Sequence, residues 1–194
     1  MRSPVSRLAL LALIGAACPA LAEPFNGTLL DRTVAIDIPA PFGASPAFSN
    51  TADGAAIHEF LPAGESLEAW SELLTLTALG GVAAGMTPQQ AAEAMAGNLA
   101  NGYAAACPDG FAAQDLGAPA VPGAEAVLAG WLGCNDVGGS GQSEAMVVLI
   151  AVAGGSVYTA QWAEHVPAMQ GPPVFDMAHW MPRLDGLMTL NLAP

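Results

Sequence analysis

The stretch that decides the fold runs from Ala145 to His165 and reads AMVVLIAVAGGSVYTAQWAEH. Its first part, 145–153, carries no charge, and its second part, 156–165, is rich in β-branched and aromatic side chains. Such runs are typical of strands, and a Gly-Gly pair between them is the signal of a two-residue hairpin turn. We therefore predict that these two segments are the central strands of an antiparallel sheet.

A long helix is predicted upstream of this hairpin. Thr87, Pro88 and Gln90 match a capping box, with Thr at the N-cap, Pro at the first helical position and Gln three residues after the cap. Apolar and small residues then recur at steps of three and four. This spacing predicts a helix from Pro88 to about Ala106 that packs one face on the core.

Shorter patterns give the remaining elements. Strands are predicted at 28–38, 56–61, 70–79, 112–116 and 126–134, with a loop at 42–54. Helical spacing recurs between Pro172 and Leu190 but is interrupted by Pro182, so we expect a helix that bends or that begins after Pro173. This order predicts an α+β domain in which an antiparallel sheet is covered by one long helix and a C-terminal helix, an α/β sandwich.

The charge balance excludes one class of partner. The 194 residues include 17 Asp and Glu but only 4 basic residues, all of them Arg, for a formal net charge of −13. A phosphate-binding surface cannot be built from so few cations, so nucleic acid is excluded, and a partner held by charge should be basic. Because 53% of the residues are apolar, the chain can bury a core.

The N-terminus matches a secretory signal peptide. Two arginines precede an apolar run at 8–17, and a small-x-small cleavage pattern ends at Ala22. We predict a signal peptide at 1–22 and a single exported domain at 23–194, periplasmic or secreted. No mature transmembrane segment is expected, because no later apolar run approaches the ~20 residues that a spanning helix needs. The alternative is a lipoprotein acylated at Cys18.

Two cysteines belong to the exported domain, Cys107 and Cys134. An even pair in an oxidising compartment predicts one disulfide between them. Two free buried thiols are the alternative. The chain has no Cys-x-x-Cys spacing and no histidine within a few residues of either cysteine, so a redox dithiol and a zinc site are disfavoured.

A resemblance to a protein family rests on two motifs. These are a segment from Glu59 to Thr77 with Pro62, Gly64-Glu65-Ser66, Trp70 and Thr75, and the helix end Ala105-Ala106-Cys107-Pro108-Asp109-Gly110. With them, the chain from Glu59 to Tyr158 resembles a group of uncharacterised exported proteobacterial proteins. The resemblance implies a small exported α/β sandwich, similar to the PsbP type of the photosynthetic oxygen-evolving complex, and no established activity. The near absence of basic residues and a C-terminal tail depart from that group.

Three residues near the C-terminus are candidates for a metal site. Asp176 and His179 lie three residues apart, which would put them on one face of the predicted last helix, and His165 precedes them beside Glu164. Imidazoles and carboxylates are zinc ligands, but such a site requires the tertiary structure to bring them together.

The same predicted helix carries a candidate surface for a partner. Met177, Trp180 and Met181 are large apolar side chains that could form an exposed patch of the kind that contacts another protein. The alternative for Trp180 is that it belongs to the core.

No sequence motif points to catalysis. Neither Ser140 nor Ser156 lies in a Gly-x-Ser-x-Gly elbow, and no Gly-rich loop leads into a helix with a following Lys, so no catalytic residue and no cofactor is indicated. We predict an exported cell-envelope protein that binds an envelope protein, or a small ligand in a groove between sheet and helix. The alternative is a hydrolytic or metal-assisted envelope enzyme that uses His165 and His179 with nearby carboxylates.

Overall fold

Ten strands and two α-helices make up the fold of the computed structural model, which describes residues 23–107, 110–168 and 171–194. The strands are β1 (Glu23–Leu29), β2 (Arg32–Ile38), β3 (Phe48–Ala52), β4 (Ala55–Phe60), β5 (Glu72–Leu79), β6 (Phe111–Gly117), β7 (Ala126–Cys134), β8 (Gln142–Ala153), β9 (Ser156–Pro167) and β10 (Asn191–Ala193). The helices are α1 (Pro88–Ala106) and α2 (Met177–Leu187). The predicted signal peptide, with Cys18, lies outside the described residues.

The predicted central hairpin is confirmed. Seven strands form an antiparallel sheet in the order β3-β4-β5-β9-β8-β7-β6, so β9 is its middle strand and β8 lies beside it. Gly154 and Gly155 make the turn with φ values of 57° and 77°, a left-handed conformation that glycine adopts without the steric cost of a side chain.

The central strands of this sheet are buried on both faces. Successive residues of a strand point to opposite faces, so Val147 and Leu149 of β8 belong to one apolar cluster while Met146 and Val148 belong to another. The first cluster includes residues of α2 and the second includes residues of α1. The central strands therefore lie between two layers.

The prediction of a single sheet covered by two helices is wrong in one respect, because a second sheet forms part of one layer. Residues 28–38 are not one strand: β1 and β2 make a hairpin, and β10 pairs with the other edge of β2. This sheet packs with α2 on the first face. The hairpin turns at Leu30, a leucine with a φ of 56°, so no glycine or proline marks the turn in the sequence. The predicted loop at 42–54 also contains a strand, β3.

Helix α1 begins and ends where the sequence predicts. Thr87 accepts a hydrogen bond from the Gln90 backbone N–H at 3.2 Å, and the Gln90 side chain accepts one from the Thr87 N–H at 2.9 Å. Its two buried residues, Ala91 and Ala92, are small, which lets the helix lie close to β7 and β8.

Replacing Thr87 by alanine will lower the free energy of unfolding by about 1 kcal/mol, because the N-cap side chain satisfies an N–H that has no partner within the helix. Urea unfolding measures the change. Thr51→Ala, on the exposed strand β3, is the control and should cost less than about 0.5 kcal/mol. Equal losses in the two variants would show that the cap contributes nothing.

Helix α2 begins at Met177, so the second of the two predicted alternatives, a start after Pro173, is the correct one. The carboxylate of Asp176 caps it by accepting a hydrogen bond from the Ala178 N–H at 3.0 Å. Pro182 lies inside the helix. Among the described residues, no helix has the length and apolar character needed to cross a membrane.

The predicted disulfide is present. Cys107, directly after α1, is bonded to Cys134, the last residue of β7, and their Cα atoms are 5.5 Å apart. This distance lies within the usual range for disulfides. The bond attaches the end of α1 to the sheet.

Candidate functional site

A cleft of about 470 Å³ lies between α1 and strands β6, β7 and β8. Its volume falls in the range of small-ligand sites, about 300–1,000 Å³. The helix side is formed by Ala96, Leu99 and Ala100, and the sheet side by Leu128, Leu132, Val148 and Ile150. Ala96 and Ala100 are small side chains, so this part of α1 leaves space above the sheet.

The rim of this cleft is acidic. Glu93 of α1 and Asp115 of β6 are both exposed and both line it. Gln89 donates a hydrogen bond to Glu93 at 2.9 Å, and the Asp115 carboxylate accepts one from the Gly117 N–H at 2.8 Å. Among the residues that the structure describes, no basic side chain lines the cleft. Its apolar walls and negative rim suit an apolar group that carries positive charge.

A second cleft, of about 390 Å³, lies on the other side of α1 above strands β3, β4, β5 and β9. Leu99 lines both clefts. In the second cleft, the hydroxyls of Thr77 and Thr159 are 2.7 Å apart, and Gln161 donates to the Thr159 hydroxyl at 2.8 Å. We use the name α1 surface for the two clefts together with the part of helix α1 that lies between them.

A cluster of four side chains lies on the same face of the sheet, between β8, β9 and α1. Glu144 accepts hydrogen bonds from the Tyr103 hydroxyl and, at 2.9 Å, from His165 Nε2. The rings of His165 and Trp70 are stacked with centroids 3.5 Å apart. Since every member contacts another, the cluster fastens α1 and the β4–β5 connection to the sheet.

The opposite face carries a second charged cluster. Glu164 forms an ion pair with Arg183 and a hydrogen bond with His179 Nε2 at 2.8 Å. The Arg183 guanidinium also lies 5.3 Å from the ring centroid of Trp162 and 5.6 Å from that of Trp180. Both contacts are within cation–π range, so this cluster attaches α2 to β9.

The two histidines predicted to share a site are not brought together. Glu164 and His165 are consecutive in β9 and therefore point to opposite faces of the sheet, and His179 joins Glu164 on the α2 face. Asp176 uses its carboxylate as the cap of α2. No group of three or more His, Cys, Asp or Glu able to hold a metal ion is found within the part of the chain that the structure describes.

The predicted partner patch is wrong at its central residue. Trp180 is 5% exposed and belongs to the core, and Met181 is partly buried against the same cluster. Of these three side chains, only Met177 lies outside the core, with 67% of its surface exposed. One side of α2 must bury its apolar residues against the sheet, and Trp180 lies on that side.

Both tyrosines of the chain should resist ionisation in the folded protein. Burial, together with Glu144, raises the pKa of Tyr103 far above its usual range, and burial with a hydrogen bond to Asp31 raises the pKa of Tyr158 to about 12. Above pH 10 the unfolded chain therefore releases protons that the folded chain keeps, so the free energy of unfolding falls as the pH rises toward 12.

Ultraviolet absorbance of tyrosinate measures this directly. The folded protein should show no titration near pH 10, whereas the protein in denaturant should show both tyrosines titrating there. Tyr158→Phe should remove the titration near pH 12. Ionisation of either tyrosine near pH 10 in the folded protein would show that the hydroxyls are not held as described.

Comparisons with known proteins support the fold alone. No protein-family model and no curated protein matches the chain, so the resemblance to exported proteobacterial proteins and to the PsbP type is not supported. The Ran-binding protein Mog1p of Saccharomyces cerevisiae has a similar structure, with a TM-score of 0.50 and 12% identity over 87% of this chain and 95% of that one. LpqN of Mycobacterium tuberculosis, involved in cell envelope biogenesis, has a TM-score of 0.34 and 14% identity over 89% of this chain and 86% of its own. The chain thus has a sheet-dominated α+β fold like that of Mog1p.

Proposed function

We propose that this protein is a non-enzymatic binding protein that accommodates a basic, partly apolar segment of a partner protein on the α1 surface. The observation that carries this proposal is the cleft between α1 and β6–β8, with its apolar walls and its rim of Glu93 and Asp115. An apolar side chain of the partner occupies the cleft, and a neighbouring Lys or Arg lies against the rim.

A protein segment suits this surface better than a small ligand does. The second cleft continues the surface across α1, with Leu99 shared by both, so an extended partner could contact both sides of the helix. Mog1p, which has this fold, is a Ran-binding protein, and a protein partner is therefore in keeping with the fold. A small ligand confined to one cleft is the alternative.

A basic partner follows from the charge of the whole chain. With 17 acidic residues and 4 basic ones, the protein attracts cations and repels anions over its surface, and this attraction weakens as salt rises. The competing hypothesis, a metal-assisted hydrolase, needed His165 and His179 in one site, and they lie on opposite faces of the sheet.

We place this function in the cell envelope. The support is the signal-peptide pattern at 1–22 and the Cys107–Cys134 disulfide, which suits a periplasmic or secreted protein. Anchoring through Cys18 is the alternative to a free protein. The mass of the mature N-terminus distinguishes the two, because cleavage after Ala22 leaves Glu23 first and acylation leaves a lipid on Cys18.

The proposed function can be tested by removing the negative charge at the rim of the cleft. The double variant Glu93→Gln/Asp115→Asn keeps the shape of the cleft and removes its charge. The control is Glu68→Gln/Asp53→Asn, an equal loss of charge at two exposed sites that do not line either cleft. Each protein, immobilised, is used to capture partners from an envelope extract, and the affinity for the captured protein is then measured at several salt concentrations.

The rim variant should bind the partner about three- to tenfold more weakly than the wild type does, as expected for the loss of two exposed charge contacts. The control should bind with wild-type affinity, and the captured partner should be basic. Equal affinities of the two variants, or a partner of net negative charge, would rule out the proposed function.

A further inference from the structure

Strand β3 is an uncovered edge of the seven-stranded sheet. In the parts of the chain that the structure describes it pairs with β4 alone, and all five of its residues, Phe48–Ala52, are exposed. The described residues supply no hydrogen-bond partner to the backbone groups on its outer side. A strand with one free row of N–H and C=O groups is a template on which another strand can pair.

The two edges of this sheet differ in how they are protected. At the opposite edge, the register of β6 shifts between Asp115 and Gly117, and the Asp115 carboxylate accepts a hydrogen bond from the Gly117 N–H. Bulges and charged side chains are features that hinder pairing with a further strand. Strand β3 has an unbroken register with β4 and contains neither a charged residue nor a proline. It is therefore the edge that is open to another strand.

Strand β3 also borders the second cleft of the α1 surface. Asn50 and Ala52 line that cleft. Phe48 lies two residues before Asn50 and therefore points to the same face of the sheet, where its side chain is 40% exposed. A strand added beside β3 would extend the floor of the cleft, and every second side chain of that strand would lie on the cleft side.

A carboxylate without a partner lies next to this edge. Glu59 of β4 is directly opposite Phe48 and points to the same face. Among the described residues its carboxylate has no hydrogen bond and no ion pair, and burial raises its pKa. The described arginines, Arg32 and Arg183, belong to β2 and α2, in the layer on the other face of the sheet. A cation brought by a partner would therefore stabilise the charged form of Glu59.

We propose that the basic segment bound by the α1 surface forms a strand on the outer edge of β3 and so adds an eighth strand to the sheet. A Lys or Arg of this segment, placed opposite Phe48, lays its apolar stem on the ring and holds its charge beside Glu59. An apolar side chain two positions along the segment then faces the second cleft. This inference rests on the proposed function, because it states how the segment of the partner is held.

A partner fits this edge better than a second copy of the chain does. Pairing β3 with the β3 of another copy would offer Glu59 no cation, because residues 48–52 include no basic residue. It would also bring together two chains that each carry a formal net charge of −13. A segment with a Lys or Arg avoids both disadvantages.

Three synthetic peptides test this inference without the natural partner. The first is acetyl-Thr-Val-Thr-Lys-Thr-Val-Thr-amide, whose Val and Lys side chains share one face of a strand. The second has Glu in place of Lys. The third keeps every side chain of the first but carries N-methyl groups on Lys and on the Thr after it, which removes an N–H from each edge of the strand. Each is titrated into the ¹⁵N-labelled protein, and amide signals and hydrogen-exchange rates are followed by NMR.

The first peptide should slow hydrogen exchange of the backbone N–H groups in β3 and leave those of β6, the opposite edge, unchanged. The Glu peptide should bind at least about tenfold more weakly, because it places a like charge at Glu59. The N-methylated peptide should not bind. Glu59→Gln should bind the first peptide about three- to tenfold more weakly, as expected for the loss of one charge contact. The control Asp185→Asn, which removes an exposed carboxylate of α2, should bind it as the wild type does.

Any of four results would overturn the inference. The first is unchanged exchange in β3 at millimolar concentrations of the first peptide. The second is equal affinity for the first and the N-methylated peptides, and the third is equal affinity of the wild type and Glu59→Gln. The fourth is protection of β3 that grows with protein concentration without peptide, which would show that a second copy occupies the edge.

Failure here can be distinguished from failure of the proposed function. The rim variant Glu93→Gln/Asp115→Asn changes the other cleft, so a loss of partner affinity in that variant would stand even if β3 bound no peptide. Conversely, wild-type partner affinity in the rim variant would remove the proposed function whatever the peptides do at β3.

Discussion

Replacing both Cys107 and Cys134 by alanine will lower the free energy of unfolding by about 3–4 kcal/mol. The two residues are 27 positions apart, and closing a loop of this length restricts the unfolded chain by that amount in the chain-entropy model. Since small domains are stable by only about 5–15 kcal/mol, this single bond is a large share of the total. Urea unfolding of the oxidised wild type and of the double variant gives the difference.

Reduction of the wild type supplies the matched control. Adding a thiol reductant to the wild type should reproduce the loss seen in the double variant, and it should leave the double variant itself unchanged. A loss below about 1 kcal/mol would mean that the disulfide forms without restricting the unfolded chain.

Replacing Arg183 by methionine will lower the free energy of unfolding by about 2–3 kcal/mol. Glu164 is 12% exposed, and without the guanidinium the hydrogen bond from His179 is the only one of its two side-chain partners in the described residues that it keeps. The loss is smaller than the 3–5 kcal/mol typical of a fully buried pair because the Arg183 side chain is 20% exposed and part of the interaction is screened by solvent. Methionine keeps much of the apolar contact with Trp162 and Trp180.

A double-mutant cycle separates the ion pair from the packing. Adding Glu164→Gln to Arg183→Met should restore part of the lost stability, because the uncompensated carboxylate is removed. Arg32→Met, at the other arginine of the described residues, is the control and should cost about 1 kcal/mol or less. If Glu164→Gln and Arg183→Met are simply additive, the two side chains do not stabilise each other.

The sequence predicted those elements that depend on interactions between residues close together in the chain. The start of helix α1 could be predicted because Thr87 and Gln90 cap it through hydrogen bonds between residues three positions apart. The register of β8 on β9 could also be predicted, since a two-residue turn at 154–155 pairs residues equidistant from it. That register places Glu144 opposite His165, so the sequence could bring together two of the four side chains in the cluster on the α1 face.

The elements and contacts that the sequence did not predict depend on packing between residues far apart in the chain. The β1–β2 turn at Leu30 has no glycine, and β10 is three residues long and pairs with a strand more than 150 positions earlier, so neither had a signal. Whether Trp180 faced the core depended on where α2 docks. The alternation of β9 already separated Glu164 from His165, but only the position of α2 showed which face His179 would join.

The α1 surface also depended on tertiary structure. The small residues of α1 indicated that it could lie close to the sheet. The cleft, however, results from where the helix crosses β7 and β8, and its rim from Asp115, which lies in another element. A sequence pattern could not place Glu93 and Asp115 on the same rim.

The measurement that tests the central claim most directly compares two alanine-to-tryptophan variants in their affinity for the basic partner. Ala100→Trp fills the cleft beside α1, and Ala178→Trp adds the same side chain at an exposed position of α2. With both variants folded, we predict that Ala100→Trp binds the partner at least about tenfold more weakly than the wild type, a loss of ~1.4 kcal/mol, while Ala178→Trp binds as the wild type does. Wild-type affinity in Ala100→Trp, or a loss confined to Ala178→Trp, would contradict the assignment of partner binding to the α1 surface.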